Sequence, residues 1–195
     1  MIRLFGYFVI IIFVIGGCSK KTYSTLPDNT LNKIDTIIVK KNELLSESER
    51  KKLASIVEVE PKEIRNEKLY ALINDWLNVP YLYGGIDKNG IDCSAITQEV
   101  FNKIYDIDLP RTSNQIFWSK GISRFKKKRF LKEGDLVFFR IDKEKTISHV
   151  GIYLQNNKFF SSNVSAGVEI ADLNSPYWAA RYIASGRPRA NVIKD

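Results

Sequence analysis

One histidine, two cysteines and one methionine are all that the 195 residues hold of these side chains, and the scarcity excludes a good deal. A single imidazole and at most two thiols cannot assemble a typical four-ligand zinc site, so no metal is expected and no cofactor is called for. No internal repeat is visible, and no apolar run reaches the roughly 20 residues that cross a bilayer. Acid is the scarcer charge: 22 Asp and Glu stand against 30 Lys and Arg, a formal net charge of +8.

What is present begins at the N-terminus. Met1-Ile2-Arg3 is a short basic opening, and Leu4 to Ile15 is apolar apart from Gly6. That length suits an export signal with small residues before the cut. The run followed by Gly16-Gly17-Cys18 resembles a bacterial lipobox. The resemblance implies a signal peptide over 1–17, cleavage before Cys18, diacylation of the Cys18 thiol and attachment to a membrane through it. Ser19 after the cysteine implies the outer membrane, with the chain facing the periplasm. The plainer alternative is an ordinary signal whose Cys18 is incidental. With Cys18 lipidated, Cys93 is left as a lone free thiol in an oxidising compartment, a liability unless it is used. An exported chain meets no chromosome, so no nucleic-acid partner is expected. The block Lys126-Lys127-Lys128-Arg129 instead favours anionic wall polymer or lipid head groups, or is a solvated basic loop.

Residues 18–61 read as the lipidated cysteine, a flexible tether and an N-terminal extension. Ser19 to Asn32 is polar and without apolar periodicity, and Ile34 to Val39 is a β-branched run that suits a strand or a sticky linker. Glu43 to Val57 has helical content that Ser46 or Ser48 would cap, and Pro61 interrupts it. A single folded domain is expected over 62–189, long enough for one core, with a tail at 190–195 and a monomeric state. Its pattern predicts a helix over Glu63 to Leu77, turns at Tyr81 to Gly85 and Lys88-Asn89-Gly90, and a second helix from Cys93 to about Tyr105. Short β-type runs follow: Asp135 to Arg140, His149 to Gln155, Lys158 to Ser162, Val168 to Ala171 and Tyr182 to Arg187. Helices first and antiparallel strands after is an α+β order.

Cys93 and His149 are the two groups that thiol hydrolysis requires. With Asp92 as N-cap, Cys93 is the first helical residue, where unpaired N–H groups and the positive dipole end favour a thiolate and leave an N–H for an oxyanion. At 3.6 residues per turn, Ile96, Val100 and Ile104 fall within roughly 60° of the Cys93 direction. The sulfur is therefore expected on the face that packs against the sheet carrying His149. Either residue taken alone is more often structural than functional.

Five segments carry a resemblance: Pro80-Tyr81-Leu82-Tyr83-Gly84-Gly85, Gly90-Ile91-Asp92-Cys93-Ser94, Leu109-Pro110-Arg111-Thr112-Ser113-Asn114-Gln115, Glu133-Gly134-Asp135-Leu136-Val137-Phe138-Phe139 and Ser148-His149-Val150-Gly151-Ile152-Tyr153. Their order and spacing resemble the NlpC-type cell-wall cysteine peptidases. The resemblance implies a papain-like α+β domain, helices packed on a central antiparallel sheet, and hydrolysis of peptidoglycan stem peptides, commonly between D-glutamate and a diamino acid such as diaminopimelate. It makes Cys93 the nucleophile and His149 the general base. Tyr81 falls where the family has a tyrosine reaching toward the nucleophile or oxyanion, with a packed aromatic beside Tyr83 as the alternative reading. Asp92 and Ser94 flank the thiol as capping and positioning groups. Thr112 and Gln115 share a motif with Arg111, which would hold a substrate carboxylate or else form a structural ion pair. The family's third residue, usually His, falls on Ser161 here, with Asn163 as the substitute if the register slips. A hydroxyl orients an imidazole without supplying charge.

The expected activity is a lipid-anchored peptidoglycan endopeptidase. Its rivals are a weak or inactive peptidoglycan-binding lipoprotein on the same fold, and an acyl- or amide-transferase.

Overall fold

The computed structural model describes residues 44–144 and 146–189. The expected signal peptide, Cys18, the tether, the run 34–39 and the tail 190–195 lie outside the described residues. Ser46 opens the first helix, α1 (Glu47–Val57), through a capping box: its hydroxyl accepts from Glu49 N–H while Glu49 reaches back to the Ser46 backbone. The helix expected over 63–77 is split. Pro61–Glu63 forms a single 3-10 turn, and Asn66 then caps a separate helix, α2 (Glu67–Trp76), by accepting from Leu69 N–H. Val79-Pro80 follows, where the residue before proline disfavours helix.

A two-stranded ribbon, β1 (Ile86–Asp87) with β2 (Gly90–Ile91), leads directly into α3 (Cys93–Tyr105), whose bounds are those the spacing predicted. Then come α4 (Ser113–Trp118), β3 (Ile122–Phe125), a 3-10 turn at Lys128–Phe130, β4 (Leu136–Phe139), β5 (His149–Tyr153), β6 (Lys158–Asn163), β7 (Gly167–Asp172), α5 (Pro176–Ala179) and β8 (Tyr182–Pro188). The larger sheet has the order β3-β8-β4-β5-β6-β7, every pairing antiparallel, which is the expected α+β architecture.

Alternation along the strands gives this sheet two covered faces. Leu136, Phe138, Val150, Ile152 and Phe160 pack with Ile96, Val100 and Phe101 of α3 and with Leu69 and Ile73 of α2. Val137, Phe139 and Phe159 face the other way, against Leu173 and Trp178. All four residues of β4 are consequently buried.

Packing crosses the expected boundary at 62: Leu45, Leu53, Ala54 and Val57 belong to the same core as α3 and the sheet. Polar ties hold that segment down: Arg50 bonds Ile64 O at 3.1 Å and pairs with Glu67, and Asn156 Nδ2 bonds Val57 O at 3.1 Å and Glu58 O at 2.7 Å. Lys158 lies 2.8 Å from Glu58 and 2.9 Å from Asp172. At the other end of the sheet, Val168 exchanges backbone bonds of 2.9 Å with Asn78 and Val79. Gly167 permits this approach, with φ of +70° and a position where an added Cβ would stand 2.3 Å from Val79 O.

Because Leu53 is wholly buried in that core, Leu53→Ala should lower the unfolding free energy by about 2–5 kcal/mol, read from urea denaturation. An unmoved midpoint would place α1 outside the folded unit.

Candidate active site

Asp92 builds the N-terminal end of α3. Its Oδ1 accepts from Ala95 N–H at 2.7 Å and from the Ser94 hydroxyl at 2.9 Å, and its Oδ2 accepts from Gly84 N–H at 3.2 Å. Arg111 closes the cluster, its Nη2 donating to Oδ2 at 2.6 Å and its Nη1 to Oδ1 at 3.0 Å and to Ser94 Oγ at 2.9 Å. Burial works to raise the Asp92 pKa, but Arg111, the Ala95 N–H and the Ser94 hydroxyl outweigh it and hold the carboxyl below its usual range. Of the two readings of Arg111, the structure therefore shows the ion pair: both Nη atoms of its fork are committed to Asp92. Thr112 and Gln115 form a reciprocal capping box at the start of α4, so Gln115 is a capping residue.

Cys93 follows with 7% of its surface exposed. The backbone N–H groups of Val150, Ser94 and its own residue favour the charged sulfur, but burial is the larger influence and pushes the thiol up to about 11. Burial thus opposes the thiolate that the helix tip favours. The N–H donors are in place, yet desolvation of the charged form outweighs them. Tyr81, bridged to Ile91, is raised by burial first and by the neighbouring Cys93 next. It shares with the thiol a cleft of about 760 Å³, also lined by Arg111, Asn114, Thr146 and Ser148, whereas Tyr83 is 81% exposed at its rim.

His149 is the first residue of β5 and pairs with Phe139. Its ring therefore lies on the sheet face opposite α3, stacked on Trp178 with centroids 5.0 Å apart and planes at 25°, and tilted against Phe139 at 5.7 Å. The shared packing face expected for thiol and imidazole is accordingly revised. Cys93 lies with α3 in the larger core, while the imidazole is seated against Trp178 of the smaller one. Among the described residues the two side chains are not hydrogen-bonded to each other.

Ser161 Oγ, at the position the resemblance gave to the third residue, lies 3.2 Å from His149 Nε2. Asn163 is committed elsewhere, its Oδ1 accepting from Ser165 N–H, Ser165 Oγ and Ala166 N–H to close the β6–β7 turn. No fully buried side-chain nitrogen or oxygen among the described residues lacks a partner. Nδ1, with no protein partner, is therefore the ring atom that reaches accessible space. Burial drives the imidazolium down to about 3, so His149 is a neutral base at ordinary pH.

Trp178 and Ser162 were not singled out in the sequence. Ser162 Oγ donates to Ile91 O at 2.7 Å, tying β6 to the strand that precedes the thiol. Ser175-Pro176-Tyr177-Trp178 carries no charge or spacing that points to an imidazole some 30 residues away; only the folding of α5 over the sheet brings the rings together.

The NlpC/P60 family model matches residues 78–187. The chain is 38% identical over 122 residues to a probable endopeptidase NlpC homolog of Haemophilus influenzae, covering 63% of this chain and 62% of that one. It is 44% identical over 109 residues to the Escherichia coli K12 murein DD-endopeptidase MepS/murein LD-carboxypeptidase, covering 55% of each. The matches thus span less than two thirds of these relatives' own lengths. Among solved structures it resembles an NLP/P60 family protein, described as similar to lipoprotein, from Staphylococcus aureus, with TM-score 0.55 and 28% identity over 63% of this chain and 41% of that one.

The buried imidazole has a consequence for stability. In the unfolded chain His149 titrates near 6.5 and in the folded chain near about 3, so on acidification the unfolded state binds the proton first. The stability that a neutral His149 contributes is complete above about 6.5 and is lost as pH falls toward about 3, at up to about 1.4 kcal/mol per pH unit. Urea midpoints measured from about pH 7 to about pH 4 should fall more steeply for the wild type than for His149→Gln. Parallel slopes would show that His149 does not titrate in this way.

Proposed function

The chain belongs to the NlpC/P60 family, and on that footing we propose that it is a peptidoglycan hydrolase, a lipid-anchored cysteine endopeptidase acting on stem peptides. The observation that carries this reading is the placement of Cys93 at the α3 N-terminus, in the wall of the cleft it shares with Tyr81. Both relatives compared above are named as endopeptidases, which supports it. Diacylation at Cys18 would hold the enzyme on the outer membrane facing the periplasm.

In the proposed reaction a filled cleft brings His149 Nδ1 to the thiol, a contact the resting structure does not make, and the Cys93 sulfur forms a bond to the scissile carbonyl carbon while its proton passes to Nδ1. That transfer requires the ring proton on Nε2, donated to Ser161 Oγ. The oxyanion is met by the Cys93 N–H, with Tyr81 within reach of the same cleft. His149 then returns the proton to the leaving amine as the C–N bond breaks. Water, deprotonated by His149, hydrolyses the thioester and restores the thiol. Burial opposes a lone thiolate and a lone imidazolium. Formed together and brought to about 4 Å, the two charges would attract by about 4 kcal/mol at an effective dielectric of 20, which offsets part of that cost. The face of Trp178 adds a further favourable site for the imidazolium.

The bond is proposed to be the D-glutamyl–diamino acid linkage, while the name of the Escherichia coli relative points to a D,D linkage. Purified wall digested with the protein and with Cys93→Ala, followed by mass spectrometry of the released fragments, separates the two bonds. Identical profiles from both proteins would remove the hydrolase reading. A second reading, a wall-binding protein without turnover, draws on the absence of a thiol–imidazole bond and on two groups that burial keeps neutral. It predicts pelleting with wall and no Cys93-dependent fragments.

Removing the hydroxyl that faces Nε2 should separate positioning from binding. Ser161→Ala is expected to lower kcat by about tenfold or more, with KM little changed. Unchanged kcat would mean that the stack on Trp178 alone orients the ring.

A further inference from the structure

The chain's positive charge is not spread over it. Residues 109–132 and 173–189 contain eleven of the 30 basic residues and none of the 22 acidic ones, so the rest of the chain is net negative. Folding joins these two stretches. β3 pairs with β8 from Ile122↔Pro188 to Phe125↔Ser185, Arg189 N–H bonds Gly121 O at 2.8 Å, and Arg187 Nη2 bonds Phe130 O at 2.9 Å. The result is one basic region along the edge strand of the large sheet.

Its cations are held on aromatic faces. Arg124 lies 5.3 Å from the Trp118 ring, Arg129 4.8 Å from Phe130 and Arg181 3.8 Å from Tyr177. Trp118, Phe130 and Tyr177 are each about half exposed. Lys128 has the Asp172 charge nearby, and Arg187 is paired with buried Asp135. Lys126, Lys127, Arg124, Arg129 and Arg181 make no ion pair among the described residues, so their charge is available to a partner.

We propose that this region docks on a surface of anionic phospholipid head groups, a role separate from the hydrolytic reading. Charge complementarity supplies the attraction. The aromatic rings select lipid over a soluble polyanion. Half-buried Trp, Tyr and Phe interleaved with Lys and Arg match the head-group level, where one part of the side chain is apolar and the rest wet, whereas a charged polymer is satisfied by cations alone. The same face reaches the cleft. α4 begins at Thr112–Asn114 in the cleft wall and ends at Trp118 in the basic region, so docking would fix the direction in which the cleft opens.

The test uses residues 42–195, which retain every residue of both cores, with far-UV circular dichroism to confirm folding. Sedimentation is measured with phosphatidylcholine vesicles and with vesicles containing about a third phosphatidylglycerol. The protein should bind the anionic vesicles, not the neutral ones. Lys126→Gln, Lys127→Gln, Lys128→Gln and Arg129→Gln together should weaken binding by roughly tenfold or more, and Trp118→Ala should weaken it further. Removing the same number of exposed charges elsewhere, by Lys51→Gln, Lys52→Gln, Lys62→Gln and Lys68→Gln, should have a much smaller effect. Equal losses from the two quadruple variants would overturn the proposal, as would equal binding to neutral vesicles. Retention on dextran sulfate together with lipid binding indifferent to Trp118→Ala would assign the surface to a polymeric anion and overturn it as well.

Discussion

The two oxygens of Asp92 accept from Ala95 and Ser94 of its own helix, from Gly84 in the turn before it and from the Arg111 guanidinium beyond it. Three stretches of chain converge on the residue that precedes Cys93. A carboxylate can satisfy this many donors because it offers about four lone-pair sites, and the pairing with Arg111 lets it remain charged in a buried position. Everything about the thiol follows from this junction: the start of α3, the direction of its first turn, and the approach of the turn carrying Tyr81. Loss of the carboxylate would leave helix N–H groups and a guanidinium without partners, which costs more than any one of these bonds contributes.

The surroundings of Cys93 and His149 show two opposing influences at close quarters. Backbone N–H groups at the helix tip and from Val150 stabilise a sulfur anion, and burial disfavours it. Burial prevails because the cost of taking a lone charge out of water exceeds what a few N–H dipoles return. The imidazole experiences only the unfavourable half, with a hydroxyl and two aromatic rings for company. In the resting molecule both groups are uncharged, so any chemistry begins with a proton transfer that a filled cleft must favour.

The helices before the matched family region belong to the same hydrophobic unit. Leu53 and Val57 share a core with Ile96 and Val150, so the segment that reads as an extension is part of the support beneath the cleft. On the other side of the sheet, Trp178 both closes the smaller core and seats the histidine.

Much was legible in the residues themselves. The Asp92 cap, the extent of α3 and the five strands predicted after it follow from local patterns whose physics is short-ranged: a side chain reaching an N–H three residues on, and side chains alternating across a pleat. The Thr112-Gln115 capping box that opens α4 was equally local and went unread, as did the two-residue strands flanking Lys88-Asn89. Sequence alone therefore determined which groups were available, the Cys93 thiol, the imidazole and the capping carboxylate, and where in the chain each begins an element. Tertiary structure decided what surrounds them: that α1 joins the core, that Arg111 is spent on Asp92, that His149 faces Trp178 from the far side of the sheet, and that burial keeps the thiol protonated. These depend on which strands lie side by side and how much water is removed, quantities that arise only when residues distant in the chain are packed against one another.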